Sequence, residues 1–119
     1  MENKKAIKLI EKIVTNLEKS GINTDSLIDN LKELRTFALE EEIPLVVKVL
    51  RLTYEHLEEN ETFLIPIPDD EPIEEGDITN TEAVVDPVES LSYMLSLIKD
   101  LKNKMNLSDL KDYRNALNE

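Results

Sequence analysis

Apolar residues recur along most of this chain at spacings of three and four, the period of a helix with one buried face. Ala6, Ile10, Ile13 and Leu17 keep that rhythm, widened by Ile7, Leu9 and Val14, and predict a first helix from about Asn3 to Lys19. Ser20-Gly21 ends it, because Gly accepts the left-handed backbone that closes many helices. Asn23 is placed to cap a second helix, with Asp25 in its first turn and Ile22 able to pack on Leu27. Leu27, Leu31, Leu34 and Ala38 form its stripe, broadened by Ile28 and Phe37. So short a link makes the first two helices antiparallel neighbours.

Glu40-Glu41-Glu42 opposes the dipole of a helix C-terminus, while Pro44 disfavours helical geometry at Ile43 and removes a backbone donor. Two helices parted there are preferred to one kinked helix. The third, from Pro44 to about Glu59, is the most apolar, with Leu45, Val46, Val47, Val49, Leu50, Leu52 and Leu57 covering most of its circumference. Such a helix is expected in the middle of a bundle. Asp86-Pro87-Val88-Glu89 is the clearest start signal, with Asp as cap, Pro at the first helical position and Glu at the third. Leu91, Met94, Ile98, Leu101 and Met105 then continue a fourth helix. Asn106 is read as the cap of a short last one, with Met105 packing on Leu110 and Leu117 closing the stripe.

Residues 60–86 break the period. Phe63-Leu64-Ile65-Pro66-Ile67-Pro68 is expected to be extended and to lay its apolar side chains along the bundle. Asp69 to Thr81, rich in acids and poor in apolar groups, is expected to be mobile. The fold class that follows is all-α, one domain over residues 1–119. Four main helices and a short C-terminal helix form a small bundle, with a long acidic, proline-containing crossover between helices three and four.

Charge sharpens this picture. Leu52 to Ile98 holds thirteen Asp and Glu and no Lys or Arg, whereas residues 1–51 balance nine acids against nine bases. Residues 99–119 carry four acids and five bases, so the acidic stretch, at −13, accounts for the formal charge of −12. That field repels nucleic acid and anionic membranes and favours a protein partner with a basic face. The absence of cysteine removes disulfides, thiol catalysis and thiolate zinc sites. The N-terminus interrupts its apolar residues with charge too often for a signal peptide, and no run approaches a membrane span. A soluble, cytoplasmic protein is expected.

Candidate chemistry is sparse. His56 is the sole histidine, and Thr53 stands where a Glu-x-x-His metal motif needs its Glu. An EF-hand register that places Gly76 at the invariant turn puts Ile73 at the third position, where an oxygen ligand is required. Glu55, Glu58 and Glu59 facing Asp109 and Asp112 would suit a magnesium-dependent, all-α nucleotide pyrophosphohydrolase, which is the enzyme alternative. No phosphate-cradling Gly-rich loop, nucleophile elbow or His-Glu-x-x-His is present. An acidic nucleic-acid mimic is a further alternative, and a homodimer through the apolar stripes is possible.

The favoured expectation is a non-enzymatic interaction or regulatory module with no cofactor and no metal. Its partner-binding residues are expected to be Phe63, Leu64, Ile65, Ile67, Asp69, Asp70, Glu71, Glu74 and Glu75. The acids would steer a basic partner and the apolar run would hold it.

Overall fold

A computed structural model describes residues 2–65 and 86–118. Five helices follow in order: α1 (Lys4–Ser20), α2 (Thr24–Glu40), α3 (Pro44–Asn60), α4 (Pro87–Lys99) and α5 (Lys104–Leu117). The described residues contain no strand. Apolar stripes bury as their spacing requires: Ala6, Leu9, Ile10, Ile13 and Leu17 from α1, and Leu27, Leu31, Leu34 and Ala38 from α2. The principal contacts run α1–α2, α2–α3, α3–α5, α5–α4 and α4–α1, so each helix has two main neighbours and the five close on one core.

Helix ends show the local chemistry at work. Asn3 accepts from the Lys5 amide at the start of α1, and both Glu41 carboxylate oxygens reach back to the Glu2 and Asn3 amides at 2.9 and 3.2 Å. Gly21 closes α1 at φ +71° and ψ −159°, a conformation that only glycine adopts without strain. Asn23 occupies the cap position of α2 without making the side-chain bond expected of it. Asp86 does cap α4, accepting from the Val88 and Glu89 amides at 3.1 and 3.2 Å.

The break before Pro44 is a Schellman turn. The Ile43 amide donates to the Ala38 carbonyl and the Glu42 amide to that of Leu39, which leaves Glu42 in the left-handed region at φ +56°. Glycine is the usual occupant of that position. Glu61, at φ +59°, closes α3 in the same left-handed conformation and donates to the Leu57 carbonyl.

Two expectations are corrected. Helix four does not run to Met105: it ends at Lys99, and Asn103 rather than Asn106 caps the next helix, its Oδ1 accepting from the Met105 amide at 2.9 Å. Asn106 instead donates to the Asp100 carbonyl and fastens the turn. The last helix is therefore not short, since its fourteen residues match the thirteen of α4. Met105, counted in the stripe, is 64% exposed. Nor is α3 the enclosed centre. Six of the thirteen residues of α4 are buried (Ser90, Leu91, Met94, Leu95, Leu97 and Ile98) against five of seventeen in α3, because α4 packs on α1, α5 and the chain entering from Phe63.

Candidate functional site

The acidic connection leaves the helical frame at Phe63-Leu64-Ile65, and each of these residues is held by a different bond. Phe63 is fully buried, its ring edge-on to His56 at 5.7 Å between centroids and tilted against Tyr113 at 6.2 Å. The Leu64 amide donates to His56 Nε2 at 3.0 Å. The Ile65 carbonyl accepts from Ser90 Oγ at 2.6 Å. Tyr113 OH lies 3.0 Å from both the Ser90 hydroxyl and the Ser90 carbonyl, so its proton is shared between those two oxygens. Helices α3, α4 and α5 thus converge on three residues of extended chain.

Backbone pinning of this kind decides which side chains face outward. Phe63 is a core residue, and its assignment as a partner contact is corrected to that of an anchor. Leu64, fixed between Phe63 and Ile65, is 52% exposed, one of only three large apolar residues so exposed among the described residues. Ile65 is half-buried against the core. Ile67, Asp69, Asp70, Glu71, Glu74 and Glu75 lie outside the described residues, as do the span 69–81, which was expected to be mobile, and the calcium-loop positions.

His56 is partly buried and hydrogen-bonded, and among the described residues no metal-binding group forms around it. Because Nε2 accepts from Leu64, the neutral ring carries its proton on Nδ1. Asn60 Nδ2 donates to the His56 carbonyl at 3.0 Å, and its 3.3 Å approach to Nδ1 is not a hydrogen bond in that tautomer. Burial lowers the His56 pKa from its ordinary 6.5, opposed by the neighbouring Glu59 carboxylate. Thr53 is buried and donates back to the Val49 carbonyl at 2.7 Å, touching Met94 Sδ at 3.6 Å. It therefore serves packing between α3 and α4.

The magnesium alternative finds no assembled ligand set among the described residues, where no three His, Asp or Glu are placed to hold a metal ion. Asp109 is buried and takes a 2.6 Å hydrogen bond from Tyr93 OH, which ties α4 to α5. Burial pushes the Tyr113 phenol far above its ordinary range, the Ser90 hydrogen bond opposing this and the charges of Tyr93 and Asp109 adding to it. It therefore stays protonated at neutral pH and can donate to Ser90.

Four acids of the described surface lie at the same end of the molecule. Asp25, Asp29, Glu58 and Glu61 line a groove of about 570 Å³ between α2 and α3, with Lys32 as its one cation. Lys32 stands 3.9 Å from Glu58 and 5.3 Å from the centre of the Tyr54 ring. Ser90 and Tyr113 were missed by pattern reading, although a signal existed: Tyr113 follows Leu110 by three residues and falls on the buried face of α5. No helix among the described residues is long and apolar enough to cross a membrane. Comparison with protein-family models, with curated proteins and with solved structures finds no match.

Proposed function

We propose that this protein is a non-enzymatic interaction module that presents an acidic surface to a protein partner with a basic face. The observation that carries the reading is the pinned exit at Phe63–Ile65: Leu64 is held outward on a fixed backbone where the chain enters its most acidic run. A preordered apolar side chain beside carboxylates suits a partner that combines cations with an apolar contact, since fixing Leu64 in advance lowers the ordering cost of binding. The groove of Asp25, Asp29, Glu58 and Glu61 extends the negative surface onto the helices. At physiological ionic strength such a field reaches about 8 Å before it is screened. Its role is therefore steering and selection, with contact energy supplied by the apolar group.

The test is capture of partners by the whole protein at low and high salt, followed by titration of the purified partner. Two variants accompany it, Leu64→Ala and a charge-neutral chain in which Asp69, Asp70, Glu71, Glu74 and Glu75 become Asn or Gln. Salt and charge neutralisation are expected to slow association, and Leu64→Ala to hasten dissociation. Binding indifferent to salt and to both variants would remove the reading.

A further inference from the structure

The opposite end of the α2–α3 pair carries a concavity of the other sign. Arg35 from α2, and Lys48 and Arg51 from α3, line a cavity of about 340 Å³ whose apolar lining is Leu39, Ile43, Pro44 and Val47. Ile43 and Val47 pack against the core and make a floor, while Leu39 is 50% exposed. Glu42 is the only acid in the lining, so the formal charge of the site is +2 on a chain of −12. That concentration of cations needs an explanation that solubility does not supply.

Three observations indicate what it accommodates. Arg35 Nε is buried and has no hydrogen-bond partner among the described residues, although a buried donor ordinarily has one. Ile43, at the cap position of α3, offers no side-chain hydrogen bond, so it leaves the first amides of α3 uncapped beside the cavity, where Glu42 is the one carboxylate of the lining. Arg51 is held only loosely, at 4.0 Å from the exposed Glu55. Together they favour a negative charge in the cavity, and the apolar floor beneath them is a place for a hydrocarbon body.

We propose that this cavity binds a small amphipathic carboxylate, an organic acid with one anionic head and a compact aliphatic or aromatic body. The volume lies near the lower bound of small-molecule sites, about 300–1,000 Å³. Glu42 opposes a second negative charge, so a monoanion fits better than a polyanion. The head pairs with Arg35 and Lys48, and the body covers Leu39, Ile43 and Val47.

Titration of the whole protein with octanoate, followed by backbone amide NMR, tests this directly. Octanoate is expected to shift the amides of Leu39, Ile43 and Val47 in a saturable way and to raise the melting temperature, with 1-octanol and octylammonium binding about tenfold more weakly. Arg35→Gln is expected to weaken octanoate by about tenfold. Lys48→Gln, at an exposed position where folding should be little disturbed, gives the same direction if Arg35→Gln disturbs the helix. Equal binding of octanol and octanoate overturns the anionic half of the proposal. Shifts outside the cavity, or none, overturn it altogether, as does binding of an acidic leucine-containing peptide at the cavity when octanoate fails to bind there.

Discussion

At the turn end of the α2–α3 pair, Arg35, Lys48 and Arg51 surround an apolar floor, whereas at the open end Asp25, Asp29, Glu58 and Glu61 outnumber Lys32. Both ends belong to the same two seventeen-residue helices, each roughly 25 Å long at 1.5 Å per residue. Screening at about 8 Å makes the two fields independent. A net charge of −12 therefore describes neither end. The ends also share a device: Glu42 at one and Glu61 at the other take the left-handed position that glycine usually fills. They differ in what comes next. Glu42 leads through Ile43 straight into α3, while Glu61 leads into three residues pinned by α3, α4 and α5.

That pinning is the feature to break first. Phe63→Ala removes a fully buried ring and should cost about 3–5 kcal/mol, the range for deleting a core aromatic. Thermal unfolding followed by circular dichroism measures it, and a loss below ~1 kcal/mol would falsify the placement of Phe63 in the core. Ser90→Ala should cost about 1–3 kcal/mol, because it leaves the Ile65 carbonyl without its donor. Neither substitution should alter octanoate binding at the turn end; coupling between them would end the independence of the two regions.

The helices of the pair were legible in the sequence because burial follows a period. Leu27, Leu31, Leu34 and Ala38 bury as read, and Pro44 opens α3 as its chemistry demands. Periodicity carried too far at Leu101 and Met105, where a chance continuation of the three-four rhythm masked the break that Asn103 caps. Phe63 was expected both to lie along the bundle and to meet a partner; it packs on the helices, but nothing local announces that His56 and Tyr113 will enclose it. The cationic cavity was invisible for the same reason. Arg35 and Lys48 are thirteen residues apart and only the Schellman turn at Glu42 brings them together.

Glu42→Gly and Glu61→Gly probe the shared device. A left-handed residue with a side chain costs about 1–2 kcal/mol, against about 0.5–1 kcal/mol of extra chain entropy for glycine, so each replacement should stabilise by roughly 0.5–1 kcal/mol. Removing a carboxylate from a helix C-terminus acts in the same direction. The variants should part company in binding: Glu42→Gly deletes the only acid of the cationic cavity and should tighten octanoate, while Glu61→Gly should leave it unchanged. Denaturant melts and the NMR titration together read both effects.

The smallest effect expected is a dependence on pH that only the pinned end should possess. His56 titrates lower in the folded protein than its ordinary 6.5, because burial disfavours the cation more than Glu59 favours it. Between those two pKa values the unfolded chain binds more protons than the folded one, so stability falls as pH drops below about 6.5 and the loss is complete once the folded ring is also protonated. Protonation also turns Nε2 into a donor facing the Leu64 amide, which ends the hydrogen bond that holds the exit. His56→Gln supplies a side-chain oxygen able to accept from Leu64 without titrating. Melting temperatures of wild type and His56→Gln at pH 7.5 and 5.5 should therefore diverge, the wild type losing more. Since His56 is partly exposed the difference should be modest, and equal losses in both proteins would show that the acid sensitivity of this end comes from its carboxylates.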